Sequence, residues 1–166
     1  YPESYDQNLP EDVVYCGSKH FTDPVENSPI NAGKLVLSPT RTYAPLVKAI
    51  FDSLGREVVK GMIHCSGGGQ TKVLHFADHV HIIKDNFLPI PPLFQLIQQE
   101  SNTEWREMFQ VFNMGHRLEI YTDQLSAEKM IALSKSFGIE AQIIGRTENF
   151  DGKKLTIQGE WGTLDY

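Results

Sequence analysis

The chain has 166 residues, a formal net charge of −6 and 22% charged residues, a composition typical of globular proteins. This length suits one domain with a real hydrophobic core. The acidic balance argues against nucleic-acid binding, which usually needs a basic face. No apolar stretch approaches the length of a membrane span, and no signal-peptide pattern opens the chain. Since Cys16 and Cys65 cannot build a disulfide scaffold, we expect a cytoplasmic protein with neither nucleic acid nor membrane as partner.

Residues 1–33 are rich in Pro, Asn, Asp, Glu and Ser and have few periodic apolar positions. We predict an irregular arm or linker here, with a short turn at VVYCG (13–17), and an ordered domain over residues 34–166. The chain begins with Tyr1 instead of methionine, which suggests a fragment or a processed product.

The first ordered elements are a helix and a strand. Residues 35–37 resemble the end of a strand, and Ser-Pro-Thr at 38–40 predicts a helix start. Apolar side chains then recur at helical spacing, at Leu46, Ile50 and Leu54. A buried strand, EVVKGMIHC (57–65), leads directly into a glycine triplet.

The middle of the chain predicts one strand and two helices. VHIIK (80–84) reads as a short strand, and Pro91 and Pro92 suit the first turn of a helix. Ser101 and Glu104 have capping-box spacing, which predicts a second helix with Met108 and Phe109 on its apolar side.

The last third of the chain predicts three strands and a helix. HRLEIYT (116–122) alternates, with Leu118 and Ile120 inward and Glu119 outward, and an amphipathic helix (126–138) follows. IEAQIIG (139–145) and KKLTIQ (153–158) predict a hairpin joined through Asp151-Gly152. This order favours an α+β fold, with helices packed on one face of a mixed, mostly antiparallel sheet.

The stretch IHCSGGGQTK (63–72) places three glycines after an apolar run. A Walker loop needs lysine directly after its last glycine, whereas Gln70 and Thr71 intervene here, and a dinucleotide fingerprint needs glycine where Lys72 stands. Neither nucleotide motif fits. Successive glycine N–H groups can still form an anion-binding nest, to which Lys72 would add a charge and Ser66 a hydroxyl. A flexible turn is the alternative.

The histidines and Cys65 carry weaker signals. His64, at the end of the buried strand, either makes a structural hydrogen bond or donates to a phosphate or carbonyl at the loop. Cys65 has no base partner and is expected in the core. His75, His79 and His81 are clustered, but no carboxylate or cysteine stands at a familiar ligand spacing, so we expect a polar solvated face and no metal.

Two further segments allow a structural and a functional interpretation. In PTRTY (39–43), Thr40 or Thr42 caps the helix, or the helix N-terminus and Arg41 together face an anion. FNMG (112–115) joins a helix to a strand, and a helix C-cap explains it without a ligand.

In this order and with these separations, LSPTRTY, IHCSGGG and FNMG resemble the C-terminal domain of aminoimidazole ribonucleotide synthetase, also called phosphoribosylformylglycinamidine cyclo-ligase. The versions in that family are approximately Pro-Thr-Arg-x-Tyr, His-x-Thr-Gly-Gly-Gly and Phe-Asn-x-Gly. The resemblance covers about residues 34–158.

The resemblance implies a two-domain, dimeric parent enzyme of purine biosynthesis. Its N-terminal domain binds ATP and Mg²⁺ and builds the homodimer, and its C-terminal domain closes over the cleft that holds a phosphorylated substrate. ATP activates the formyl amide oxygen of formylglycinamidine ribonucleotide, and an internal nitrogen then closes the imidazole ring. The motifs expected to bind ATP are absent from these residues, so we expect this chain alone to be inactive.

Matching positions imply a candidate catalytic residue, His64. The same resemblance implies substrate-binding roles for residues at the helix start, in the loop and at the turn: Thr40, Arg41, Tyr43, Gly67, Gly68, Gly69 and Asn113. The anion-binding interpretation of the loop adds Ser66, where the family commonly has threonine, and Lys72, where it has arginine.

Two departures from the family pattern keep other functions open. QTKVL after the glycines is shorter than usual, and His116 and Arg117 stand where a small or apolar residue and a glycine are expected. A related ATP-dependent enzyme with another substrate is therefore one alternative, and a non-catalytic regulatory or assembly domain is the other.

Overall fold

The computed structural model of the chain describes Asn8 and residues 17–166. Of the predicted arm, residues 1–7 and 9–16 lie outside the described residues, and so does the turn predicted at VVYCG except for Gly17. Within them there are two compact units. The first unit comprises the described part of Tyr1–Pro39 together with Pro91–Glu104, and the second comprises Thr40–Ile90 with Trp105–Tyr166. No helix in the described part of the chain has the length and apolar character needed to cross a membrane.

The described helices are short or of medium length. They are α1 (Ala32–Val36), α2 (Ala44–Leu54), α3 (Pro92–Ser101), α4 (Trp105–Val111) and α5 (Gln124–Ser136). The strands are β1 (Gly61–His64), β2 (Val80–Lys84), β3 (Leu118–Tyr121), β4 (Gly145–Asn149), β5 (Lys153–Gly159) and β6 (Gly162–Asp165). Two 3-10 helices span Arg56–Val58 and Gly69–His75.

The first unit contains α1 and α3, which contact each other. The strand end predicted at residues 35–37 is wrong, because α1 covers most of this segment. The Asn31 side chain accepts a hydrogen bond from the Lys34 N–H and so caps the helix. The predicted proline start of α3 is confirmed, since Pro92 is its first residue.

The second unit contains two sheets. β1 and β3 form an antiparallel pair, and the other sheet has the order β4-β2-β5-β6. Within it, β2 is antiparallel to β4 and parallel to β5. The predicted α+β class and the mixed, mostly antiparallel strand pairing are therefore confirmed, with the strands distributed over two sheets.

The hairpin predicted through Asp151-Gly152 is wrong. β4 and β5, which this turn connects, each pair with β2, which lies between them. The strand predicted at residues 139–145 is also displaced, because β4 begins only at Gly145. A local turn signal identifies the reversal of the chain but not the strand that enters between its two arms. The observed hairpin is formed by β5 and β6, with Gly159 opposite Gly162.

The core beside the two-stranded sheet joins α2 to α5. Leu46 and Ile50, predicted on the apolar face of α2, pack against Met130 of α5, and Leu54 packs against this cluster. The helix begins at Ala44 and not at residues 38–40. Pro45 explains this start, because proline lacks an N–H and is tolerated in the first turn of a helix.

The helix predicted after residue 101 is confirmed as α4, with Met108 and Phe109 fully buried. Its predicted capping box is wrong. Ser101 is the last residue of α3, where its hydroxyl donates to the Ile97 carbonyl oxygen within that helix.

Candidate functional site

The glycine loop, residues 66–69, connects β1 to the second 3-10 helix. The Gly69 N–H donates to the Ser66 carbonyl oxygen at 3.0 Å, which closes a tight turn. The Thr71 N–H and hydroxyl both donate to the Gly68 carbonyl oxygen at 3.0 Å. These bonds hold the loop in one conformation.

Two of the three glycines are required by the backbone. Gly68 has φ 89° and Gly69 has φ 49°, in the region that side chains disfavour. A Cβ on Gly69 would also lie 2.5 Å from the Phe112 carbonyl oxygen and 2.6 Å from that of Phe109. Gly67 is different, because a Cβ there would meet nothing within 4 Å.

The open side of the loop presents hydrogen-bond donors. No described residue accepts a hydrogen bond from the N–H of Gly67 or Gly68. Lys72 folds back over the loop, and its Nζ donates to the His64 carbonyl oxygen at 3.1 Å and to Ser66 Oγ at 2.7 Å. Two unpaired N–H groups beside an ammonium group form an arrangement suited to an anion.

Tyr43 and His64 lie together at one end of this loop. Their ring centroids are 6.3 Å apart in an edge-on arrangement, and the His64 side chain is exposed. Tyr43 is the N-terminal flanking residue of α2, and His64 ends β1. The structure therefore joins the predicted helix start to the predicted loop through these two rings.

Thr40 and Arg41 are exposed and are not joined to the loop by a hydrogen bond. The Arg41 guanidinium donates to the Gly138 carbonyl oxygen at 3.3 Å, just after α5. Capping of α2 by Thr40 or Thr42 is wrong, because the flanking residue is Tyr43 and no side chain caps the helix.

Asn113 forms the turn that follows α4. Its Oδ1 accepts a hydrogen bond from the Gly115 N–H at 2.9 Å, and Met114 and Gly115 have φ values of 51° and 95°. Its carbonyl oxygen accepts a hydrogen bond from Gln70 Nε2 at 2.7 Å. The turn and the glycine loop are therefore linked, through the Asn113 backbone and not its side chain.

The sequence interpretation missed a buried polar group behind the loop. Lys84 Nζ and Glu119 Oε1 are 2.5 Å apart, and the two side chains are only 2% and 4% exposed. Glu119 was predicted to face outward, which is wrong, because its strand places it towards β2 and Lys84. The available signal was one acid within β3 and one lysine at the end of the largely apolar β2, since buried charges are usually paired.

Burial shifts the protonation of side chains in this region. His116 Nε2 accepts a hydrogen bond from the Leu88 N–H at 3.0 Å, and burial lowers the pKa of His116 to about 4. Burial raises the pKa of the Cys65 thiol to about 12, and the charge of Glu119 adds to this effect. Both groups are therefore neutral near pH 7, and Cys65 lies in the core, as predicted.

The three clustered histidines have separate environments. His75 and His79 are exposed, and His81 Nε2 is 2.8 Å from the Thr156 hydroxyl oxygen. Over residues 17–166 and Asn8, no group of three or more His, Cys, Asp or Glu side chains is placed to hold a metal ion.

The fold and the loop define an α+β domain in which a strand leads into a glycine loop that is hydrogen-bonded to a Phe-Asn-Met-Gly turn. Residues 18–158 match the family described as "AIR synthase related protein, C-terminal domain", and the chain belongs to that family. The resemblance seen in the sequence is thereby confirmed.

Relatives in two organisms carry the same name. The chain is 37% identical over 139 residues to phosphoribosylformylglycinamidine cyclo-ligase of Methanococcus vannielii, covering 81% of this chain and 38% of the relative. It is 38% identical over 129 residues to the cyclo-ligase of Alkaliphilus metalliredigens, covering 75% of this chain and 35% of the relative. The chain thus spans less than half the length of these relatives.

A solved structure has a similar fold. The crystal structure of E. coli HypE, a hydrogenase maturation protein, superimposes with a TM-score of 0.54 and 20% identity, covering 76% of this chain and 39% of that chain. At this identity the likeness concerns the fold alone.

Proposed function

We propose that this chain is the substrate-side domain of an ATP-dependent phosphoribosylformylglycinamidine cyclo-ligase of purine biosynthesis. In this reaction the formyl amide oxygen of the substrate attacks the γ-phosphorus of ATP and ADP leaves. An internal nitrogen then attacks the activated carbon, and inorganic phosphate leaves as the imidazole ring closes. The protein contributes mainly orientation and neutralisation of charge.

The observation that carries this proposal is the open face of the glycine loop. The Gly67 and Gly68 N–H groups are unpaired among the described residues, and Lys72 lies beside them. We assign this face to the phosphate of the substrate. His64 and Tyr43 flank it as candidates for contact with the reacting part of the substrate, and His64 remains the candidate catalytic residue.

The other residues predicted to contact the substrate are included in the proposal on different grounds. Ser66 and Gly69 shape the loop, and Asn113 holds the neighbouring turn. Thr40 and Arg41 are proposed as substrate contacts on the family resemblance alone.

ATP and Mg²⁺ are assigned to a separate N-terminal domain of the parent enzyme. Among residues 17–166 and Asn8 there is no group of three metal-ligating side chains, so none of these residues is assigned to the metal. The proposal includes a cytoplasmic homodimer in which residues 1–33 connect to that domain, and inactivity of this chain by itself.

One departure from the family pattern, His116, was a reason to consider another substrate. His116 is buried and makes an edge-on contact with Phe87 at a centroid distance of 4.8 Å. Its bulk is therefore accommodated inside the domain, so His116 gives no reason to prefer a relative with another substrate.

The test uses the full-length protein, assayed for aminoimidazole ribonucleotide formation from ATP and formylglycinamidine ribonucleotide. Gly67→Asp places a carboxylate in open space without backbone strain and is expected to abolish turnover while leaving the protein folded. Gly68→Asp is a poorer choice, because its φ of 89° would strain any side chain. Gly67→Ala is the matched control.

If the wild type is active and Gly67→Asp retains that activity, the loop is not part of the substrate site. A wild-type protein that consumes no formylglycinamidine ribonucleotide would eliminate the cyclo-ligase itself.

A further inference from the structure

Lys84 lies at the end of β2 with all of its hydrogen-bonding capacity in use. Its Nζ donates to the Gln70 carbonyl oxygen at 2.9 Å, to Gln70 Oε1 at 3.0 Å and to Glu119 Oε1 at 2.5 Å. An ammonium group has three donors, and each has one acceptor. Two of these acceptors belong to the residue that directly follows the glycine triplet.

Gln70 joins the glycine loop to the neighbouring turn. Its Nε2 donates to the carbonyl oxygens of Asn113 at 2.7 Å and His116 at 3.2 Å. The residue is 1% exposed, so its side chain is shielded from bulk solvent. This side chain therefore links the loop to the Phe-Asn-Met-Gly turn and the residue after it through two hydrogen bonds.

Glu119 connects Lys84 and Gln70 to the two-stranded sheet. Its Oε1 accepts from Lys84, and its Oε2 accepts from the Tyr121 hydroxyl at 2.9 Å. Lys84 ends a strand of the four-stranded sheet, whereas Glu119 and Tyr121 belong to the two-stranded sheet. The ion pair thus connects the two sheets directly behind the loop.

A buried ion pair is not needed for stability alone, because well-packed apolar residues often stabilise a fold as well or better. A fully bonded polar network does impose one geometry on the groups it holds. We propose that Lys84, Glu119 and Gln70 are positioning residues, which hold the glycine loop and the adjacent turn in the arrangement that binds the substrate. The expected effect of these residues on turnover rests on the proposed function, whereas their expected effect on the loop conformation does not.

The test removes the charges of Lys84 and Glu119 together, so that neither charge is left unpaired in the interior. In the full-length protein, Lys84→Met, Glu119→Leu and Tyr121→Phe are combined, and Gln70→Met is made separately as a variant that changes no charge. Hydrogen exchange of the Gly69 and Thr71 amides, which donate hydrogen bonds within the loop, is expected to accelerate about tenfold or more in both variants, because the loop loses the contacts that hold it. The kcat/KM for the phosphorylated substrate is expected to fall about 100-fold, with KM for ATP unchanged.

The matched control is Lys48→Met with Asp52→Leu, which removes an exposed ion pair with the same two replacement residues, Met and Leu. It should leave both loop exchange and kinetics as in the wild type. Wild-type loop exchange in a folded variant overturns the proposal, and so does wild-type kcat/KM with a loosened loop. If the triple variant does not fold, Gln70→Met decides by the same two measurements. If the wild type lacks cyclo-ligase activity, the proposed function fails, whereas loop exchange still tests the positioning role.

Discussion

A Cβ atom on Gly69 would lie 2.5 Å from the carbonyl oxygen of Phe112, so the glycine loop rests directly on the backbone that follows α4. The Phe109 carbonyl oxygen is almost as close, and backbone atoms cannot rotate aside as a side chain can. Gly69 also has φ 49°. We expect Gly69→Ala to lower the free energy of unfolding by about 3 kcal/mol, measured by urea denaturation.

Gly67→Ala is the matched control for this prediction, since the same methyl group enters open space two residues earlier. Its stability should stay within about 0.5 kcal/mol of the wild type. Equal stability of the two variants would contradict the close packing of the loop on α4.

His116 predicts a pH dependence of stability. Its pKa is lowered from 6.5 to about 4 by burial, so the unfolded chain takes up a proton at a higher pH than the folded one. The stabilising contribution is therefore complete above pH 6.5 and is lost as the pH falls towards 4. The loss amounts to about 3 kcal/mol for a shift of this size, measured by urea unfolding across this range.

His116→Gln should flatten this part of the curve, because its amide oxygen can accept the Leu88 N–H without titrating. His75→Gln removes an exposed histidine and should leave the curve unchanged. A wild-type slope in His116→Gln would show that carboxylates, and not His116, cause the acid sensitivity.

Cys65 should resist alkylation in the folded protein. Its pKa of about 12, against an ordinary value of 9.0, makes the reactive thiolate about 1000-fold rarer, and burial limits access further. Iodoacetamide labelling of Cys65, followed by peptide mass spectrometry in a Cys16→Ser background, should be slow natively and fast in urea. Equal labelling rates in both conditions would place Cys65 outside the core.

Lys72 should strengthen binding of an anion at the glycine loop. We expect Lys72→Met to raise the dissociation constant for inorganic phosphate about tenfold, the effect of losing roughly 1.4 kcal/mol from one charged contact. The measurement is a titration of the Gly67 and Gly68 amide chemical shifts. Lys48→Met removes an exposed charge in α2 and serves as the control, and similar weakening in both would indicate only a long-range effect of charge.

Local patterns in the sequence predicted the elements that carry the loop. The second half of the strand predicted at residues 57–65 is confirmed as β1, whereas Arg56–Val58 forms a 3-10 helix and β1 is only partly buried. The helical spacing of Leu46 and Ile50 identified the buried face of α2. These signals succeed because they depend on neighbours along the chain. The positive φ of Gly68 and Gly69 also agrees with the tight turn that a glycine triplet favours.

Features that depend on distant partners were not predicted. Alternation in β3 placed Glu119 outward, but its partner Lys84 comes from another strand and makes the buried position favourable. Likewise, the turn before β5 gave no sign that β2 lies between β4 and β5. Local patterns therefore showed the glycines and the two charged residues, but not that Lys84 and Glu119 form a buried pair behind the loop.

The position of β2 between β4 and β5 has a consequence for folding during synthesis. Both strands that pair with β2 are encoded near the end of the described chain, at Gly145–Asn149 and Lys153–Gly159. Until a ribosome releases those residues, β2 has two unpaired edges, and such edges promote aggregation. Because pairing between distant segments is slow, chaperone protection of the nascent chain would matter most while residues 80–84 await their neighbours.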